Sequence, residues 1–438
     1  MSTHTPTEPA RTPETVLAIR EAARSMGPGA LSESGLRDHV FPLFSRVLER
    51  GRESGEIYLA NHSLGRPMDA VEADVREGLG YWYDHLGNAW DAWMPEHDAH
   101  RARIAAVIGC GRADCVVPKT SAAQGLRAVL NAIPGEGPIS VVSTRGEFDS
   151  IDSVLKMHHH RGRARVAWAE PDERGRFEAD DLVRAIGDLP SGAGPKLVVV
   201  SAVYFVTGQV VEGLDRVIAA AHERGAIVVV DAYHAAGAVP MSFDDLGADF
   251  MIGGNYKYTR GGPGACWLCI HPRHLREAGT PGAADLATTD TGWFALADPF
   301  SYSRTDEPRL AAGGDAWLEA TPPVLAYYQA RAGLELTLAL GIERLRAYNL
   351  RQQTMLTDAL RAHGIGPLDD KPRGAFVPIA TADGPAAVAA LRARGVDADA
   401  RPCPSGSRWV VRFCPDVLTT SDELARAAEI IASVLGPG

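Results

Sequence analysis

One lysine follows a strand-like apolar segment and precedes a glycine-rich loop, a placement that favours covalent chemistry. Lys257 stands in NYKYTRGGPG, shortly after the apolar residues 250–252. Burial at such a position lowers the pKa of an ammonium group, and the free amine can then form an imine with a carbonyl carbon. Twenty-six residues upstream, Asp231 ends the β-branched run 227–230, and His234 follows it. A carboxylate there can keep a pyridine nitrogen protonated, so these residues together indicate pyridoxal phosphate chemistry.

Each residue also has an ordinary interpretation, because a strand-end aspartate can be a helix N-cap and most lysines are solvated. The whole stretch, DAYHAAGAVP followed by NYKYTRGGPG, is more specific. It resembles the cofactor-lysine region of the kynureninases, which are fold type I (aspartate-aminotransferase-like) pyridoxal-phosphate enzymes. The resemblance implies that Lys257 carries the cofactor, and that Asp231, His234 and Tyr256 contact it. Tyr256 would also relay a proton.

The composition fits a globular enzyme. The 438 residues carry a net charge of -11, which argues against nucleic acid as the main partner. Six cysteines are too few to suggest a disulfide framework in a chain of this length. The sequence has no signal-peptide pattern and no 18-residue apolar run, so we expect a cytoplasmic protein without a membrane partner.

Two sequence patterns suggest metal ligands, but neither is convincing. Cys266-x-x-Cys269 lies inside an apolar, strand-like run without a second pair of ligands, so packing is the better interpretation. Residues 158–160 are three adjacent histidines, which point in different directions on a helix and therefore suit a solvated surface. We predict no metal site.

From Cys115 onward, strands alternate with helices, which is typical of an α/β domain. The resemblance implies the fold type I transferase fold, with a mostly parallel seven-stranded sheet in a large domain and a smaller α+β domain. The predicted segments are a disordered tail (1–13), the N-terminal part of the small domain (14–75), the large domain (76–323) and the C-terminal small domain (324–438).

Further cofactor contacts are expected where strands end. Thr120 and Ser121 lie between a strand and a helix start, where hydroxyls and free N–H groups can bind a phosphate, although capping explains them equally well. Ser201 ends the buried strand KLVVVS, where ligands of such sheets collect. The resemblance adds four cofactor contacts. The ring of Phe148 would stack on the pyridine, and Ser150, Trp293 and Thr321 would make further contacts. In the family, the tryptophan often comes from the neighbouring subunit.

The substrate-side residues follow from the resemblance alone. They include an arginine on the strand WVVRF that would pair with the substrate α-carboxylate, as guanidinium groups do well; the full set is His62, Ser63, His85, Phe294 and Arg412. Three positions depart from the family pattern, with His62 for asparagine, Leu296 for histidine and Ala320 for glycine.

The resemblance implies a homodimeric hydrolase with shared active sites. It would cleave the Cβ–Cγ bond of kynurenine or a related γ-oxo amino acid, giving alanine and an acid. Because the departures fall on the substrate side, two other pyridoxal-phosphate activities stay open. One is β-elimination or C–S cleavage of a cysteine-derived substrate, and the other is class V transamination. A non-catalytic protein of this fold is the remote alternative, which an intact Lys257 and Asp231 disfavour.

Overall fold

The structure is a computed structural model that describes residues 12–192, 194–277, 286–302, 304–406 and 408–436. The predicted disorder of residues 1–13 therefore falls almost wholly outside the described residues. None of the described helices combines the length and the apolarity needed to cross a membrane.

Helices and strands alternate through the middle of the chain. The helices are α1 (Glu14–Ser25), α2 (Glu33–His39), α3 (Ser45–Ser54), α4 (Ala70–His85), α5 (Trp90–Ile108), α6 (Ala122–Leu130), α7 (Asp149–His160), α8 (Ala179–Gly187), α9 (Leu214–Glu223), α10 (Phe243–Leu246), α11 (Val324–Leu340), α12 (Ile342–Ala362), α13 (Gly384–Arg392) and α14 (Ser421–Leu435). The strands are β1 (Ile57–Tyr58), β2 (Val116–Lys119), β3 (Ile139–Thr144), β4 (Ala164–Ala169), β5 (Lys196–Ser201), β6 (Ile227–Asp231), β7 (Phe250–Gly254), β8 (Cys266–Ile270), β9 (Val377–Thr381), β10 (Val396–Asp397), β11 (Asp399–Pro402) and β12 (Trp409–Phe413).

A seven-stranded sheet forms the centre of the molecule, in the order β2-β8-β7-β6-β5-β3-β4. Strand β8 runs antiparallel to both of its neighbours, and the other pairs are parallel. The valines of β6 are fully buried, as expected for a strand covered on both faces. Ser201 pairs with Asp231, and Asp231 with Ile252, so these strand ends lie side by side at the carboxyl edge of the sheet.

A second, antiparallel sheet of order β11-β12-β9 lies in the C-terminal part of the chain. Strand β1 pairs with β10, which joins the segment around residue 57 to this part of the chain. In the register of β11 and β12, Asp399 is opposite Arg412. Helices α11 and α12 are separate, because Gly341 between them adopts a positive φ of 83°. The domain boundaries given above stay predictions.

Candidate active site

Lys257 lies just beyond the end of β7, and its side chain is buried. Its Nζ is 2.5 Å from Nε2 of His234, whose Nδ1 is 3.1 Å from the hydroxyl of Tyr258. Aromatic rings surround the amine, with centroids 4.7 Å away for Tyr233 and 5.5 Å for Phe148. The amine therefore contacts a neutral ring nitrogen and aromatic faces, and little of its charge can be solvated.

The electrostatics of this site favour an uncharged amine near neutral pH. Burial lowers the pKa of Lys257 to about 7, Asp231 opposes that shift, and Arg412 adds to it. Burial raises the pKa of Asp231, although the Tyr233 N–H donates to its Oδ1 at 2.8 Å. Burial and the nearby Lys257 hold the pKa of His234 well below its ordinary value, so this imidazole stays neutral. A neutral amine is the form that attacks carbonyl groups.

The lysine faces a small cavity at the carboxyl edge of the large sheet. Its lining is largely aromatic and includes residues from four strand ends or the loops that follow them: Phe148, Ser201, Val203, Phe205, Asp231, Tyr233, His234, Tyr256 and Lys257. The fold thus brings together six of the residues predicted to bind the cofactor, although they are spread over more than a hundred positions of the chain.

A second buried acid lies beneath this cavity, and the sequence prediction missed it. Glu147 accepts hydrogen bonds from Ser201 Oγ at 2.6 Å and Thr144 Oγ1 at 2.8 Å. Burial raises its pKa to about 8, and the neighbouring Asp231 adds to the shift. Glu147 is therefore a neutral acid near pH 7. Its position directly before Phe148, beyond the end of β3, was the available signal.

The predicted phosphate turn lies at the start of α6. Ser121 is the N-cap, and its Oγ accepts from the N–H of Gln124 at 3.1 Å, while the Thr120 N–H donates to the Gln124 side chain. Cys266 links this turn to the lysine cavity, because the backbone of Ala122 acts on the pKa of its thiol and its Sγ lies 3.3 Å from the hydroxyl of Tyr233. The helix start is thus held beside one wall of the cavity. Cys266 and its partner in the C-x-x-C pattern are buried in β8, as packing residues are.

Arg412, His62 and Ser63 meet at a residue that the sequence prediction missed, Asp399. The guanidinium Nε and Nη2 donate to the two carboxylate oxygens at 2.8 and 2.5 Å. His62 Nε2 lies 2.7 Å from Oδ1, and Ser63 Oγ donates to Oδ2 at 2.5 Å. We call these four residues the Asp399 cluster. The sequence signal for Asp399 was the alternation of charged residues and alanines in DADAR, shortly before WVVRF. In a β-hairpin this alternation places the charged side chains on one face.

Five predicted residues belong neither to the lining of the lysine cavity, nor to the phosphate turn, nor to the Asp399 cluster, within the described part of a single chain. Ser150 is exposed on α7, and His85 is exposed at the end of α4. Thr321 is exposed two residues after Glu319, which accepts from Gln124 beside the phosphate turn. Trp293 and Phe294 pack against Trp90 in an aromatic cluster. Their predicted roles stay predictions.

The groups around Lys257 fit pyridoxal phosphate. They supply a buried amine without a carboxylate bonded to it, a carboxylate at a strand end, an aromatic face and a helix start with N–H donors. At Gly254 an added Cβ would lie 2.2 Å from the hydroxyl of Tyr233, so glycine keeps this wall in place.

Comparisons with known proteins identify relatives over most of the chain. A family model described as aminotransferase class-V matches residues 89–373. A kynureninase of Geobacillus thermodenitrificans is 30% identical over 400 residues, which cover 86% of this chain and 88% of the relative. A kynureninase of Salinispora tropica is 28% identical over 410 residues, covering 88% and 91%.

Solved structures confirm the predicted fold. A complex of the cystine C–S lyase C-DES with its reaction product cysteine persulfide superposes with a TM-score of 0.74 at 19% identity, covering 87% of this chain and 98% of that one. A cysteine desulfurase from Thermococcus onnurineus gives a TM-score of 0.73 at 19% identity, covering 87% and 95%. At this level of identity the likeness shows the fold alone.

Proposed function

The chain belongs to the class-V aminotransferase family, with relatives of the kynureninase type, and we propose that it is a pyridoxal 5′-phosphate-dependent hydrolase of that type. It cleaves the Cβ–Cγ bond of kynurenine or a related γ-oxo amino acid and releases alanine and an acid. The observation that carries the proposal is the buried Lys257 amine, beside Asp231 and in the same site as Arg412, whose charge helps to lower the lysine pKa to about 7.

Residues of the sheet edge and of α6 hold the cofactor, which supplies an electron sink for negative charge at the substrate Cα. Lys257 would anchor the cofactor, and its free amine would remove the Cα proton of the substrate. Asp231 would keep the pyridine nitrogen protonated. Phe148 would lie against the ring, and the N–H groups next to Ser121 would bind the phosphate.

The substrate lies against the aromatic side of the same cavity. Arg412 binds the α-carboxylate, and Phe205 contributes both a ring at the cavity wall and the carbonyl that accepts from Arg412 Nη1 at 2.5 Å. Tyr256, whose ring centroid is 5.7 Å from the lysine Nζ, moves a proton at the γ-carbonyl as water adds. Only a substrate with a γ-carbonyl can follow this route.

Cleavage of a sulfur-substituted amino acid is the second candidate. It is favoured by the substrate-side departures from the family pattern, notably Leu296 and Ala320. The choice is tested by incubating the purified protein with L-kynurenine and, separately, with S-substituted cysteines. Anthranilate and alanine in equal amounts support the hydrolase, whereas pyruvate and a thiol from the cysteines alone would contradict it.

Two variants tie either activity to the lysine. Lys257→Ala should lose the absorbance band of lysine-bound cofactor and the turnover, because this variant lacks the buried amine that contacts His234. Lys156→Ala, an exposed lysine on α7, is the matched control and should keep both.

We further propose a homodimer whose subunits complete each other's sites. Aromatic side chains are left exposed on the single chain, with Tyr302, which stacks on Trp293, at 77% and Tyr83 at 82% of full exposure. Exposed apolar side chains in such number are typical of an interface. A second copy covering them would let Trp293 and Thr321 reach the partner's phosphate turn.

Mixing two inactive variants tests this sharing. Lys257→Ala and Trp293→Ala homodimers should both be impaired, but a mixed dimer contains one site with both residues intact. Reassociation after mild denaturation should therefore restore about a quarter of the wild-type activity, since about half of the dimers are mixed. No recovery, with mixed dimers present by mass, would refute shared sites.

A further inference from the structure

The guanidinium of Arg412 is held along one edge by a carboxylate of its own chain. Asp399 binds Nε and Nη2, and the carbonyl of Phe205 accepts from Nη1. An arginine side chain has five N–H groups. Two N–H groups, one on each Nη, therefore keep no hydrogen-bond partner among the described residues. A free N–H group on each of the two terminal nitrogens suits an end-on contact with a second carboxylate.

Asp399 could be a fixed support or a latch that takes the place of a substrate carboxylate. It accepts hydrogen bonds from His62 and Ser63 as well as Arg412, and Arg401 lies 3.3 Å away. Burial opposes ionisation, but the hydrogen bonds from His62 and Arg412 outweigh it and hold the pKa of Asp399 far below its usual range. Because several parts of the chain hold Asp399 in place, it is a fixed support and not a latch.

The guanidinium of Arg412 lies next to the lysine cavity. Phe205, which accepts from Nη1, lines the same cavity as Lys257. The charge of Arg412 also acts on Lys257 and on His234. The edge taken by Asp399, in contrast, faces the turn of residues 61–63.

We propose that Asp399 is a positioning residue that takes the side-on edge of Arg412 and thereby presents the end-on edge to the α-carboxylate of the substrate. The inference rests on the proposed function and deepens it. His62, which was predicted to touch the substrate, then acts on Asp399 instead: its side chain has 0% exposure and its Nε2 bonds Asp399. The histidine that replaces the family's asparagine at position 62 therefore helps to hold Arg412 in place through Asp399.

The test compares two ligands that differ only by the carboxylate. L-Alanine and ethylamine are titrated into the holoenzyme, and their binding is followed through the cofactor absorbance. In Asp399→Asn the amide keeps the shape but loses the charge and one acceptor, so Arg412 can turn away. L-Alanine affinity should fall by about 10- to 100-fold, since a charge-assisted bidentate contact is weakened, while ethylamine affinity stays the same.

Matched variants separate this effect from a general loss of structure. Asp397→Asn, two residues away and paired with Arg392 on the surface, should leave both affinities unchanged. Ser63→Ala removes one hydrogen bond to Asp399 and should lower the affinity for L-alanine in the same direction by a smaller factor, which keeps the test decisive if Asp399→Asn does not fold.

Other outcomes would overturn the inference. Tighter L-alanine binding in Asp399→Asn would show that Asp399 competes with the substrate. An equal loss for both ligands would show a general structural role. If the wild-type holoenzyme did not prefer L-alanine to ethylamine, the proposed function itself would fail. If it did prefer L-alanine and Asp399→Asn kept that preference, only the role of Asp399 would fail.

Discussion

Replacing Glu147 with glutamine is expected to stabilise the protein, and to do so more strongly as the pH rises. The buried carboxyl accepts from Thr144 and Ser201 and is held next to Asp231. Burial penalises its charged form, which raises its pKa to about 8 from an ordinary value of 4.5. Glutamine has the same shape as the neutral acid, and its amide can both accept from Thr144 and donate to Ser201.

The magnitude follows from the two pKa values. Between pH 4.5 and about 8 the folded protein keeps a proton that the unfolded chain releases, so the free energy of unfolding falls as the pH rises through this window. At about 1.4 kcal/mol for each pKa unit, the loss is about 2 kcal/mol at pH 6 and about 4 to 5 kcal/mol at pH 9. Glutamine does not titrate. Its stability advantage should therefore widen by about 2 to 3 kcal/mol over this range.

Urea unfolding at pH 6, 7.5 and 9, followed by circular dichroism, measures the difference between Glu147→Gln and the wild type. Glu170→Gln is the matched control, because that glutamate is exposed and pairs with Arg145 at the surface. Its difference from the wild type should stay constant with pH. A constant or shrinking advantage of Glu147→Gln at higher pH would refute the conclusion that Glu147 is a buried neutral acid.

Three further predictions follow from local geometry. Gly65→Ala should reduce cofactor binding and turnover, because the added Cβ would lie 2.0 Å from the Lys257 carbonyl oxygen. Gly80→Ala is the control, since open space surrounds that glycine. Equal activity of the two variants would contradict the expected clash. His100→Phe should make the protein more resistant to acid, because burial lowers the pKa of His100 to about 3 from 6.5. The wild type therefore loses stability as the pH falls below 6.5, by about 2 kcal/mol at pH 5. Thermal melts of both proteins at pH 5 and 7.5 measure this, and they would show no such difference if the ring were charged in the folded protein. Ser121→Ala should weaken phosphate-dependent cofactor affinity and cost about 1 kcal/mol of stability through the lost N-cap, as measured by cofactor titration and melting; unchanged values for both would place the phosphate elsewhere.

The sequence by itself placed part of the predicted cofactor side at one edge of the sheet. Lys257, Asp231 and Ser201 each lie at or just beyond a run of apolar residues that had to be a buried parallel strand. Because parallel strands end at one edge of a sheet, their convergence followed from the fold class before any coordinates were known. The helix start at Ser121 could be predicted in the same way, since capping residues act on their immediate neighbours in the chain.

The substrate side was decided by the tertiary structure. His62 and Asp399 are 337 positions apart and meet only because β1 pairs with β10 and because Asp399 is opposite Arg412 in the register of β11 and β12. A shift of one residue in that register would turn Asp399 to the other face of the sheet. Glu147 likewise became a neutral acid only through its burial beneath Ser201. Local patterns encode which strands and helices form, whereas long-range pairing and desolvation set the contacts and charges of these side chains.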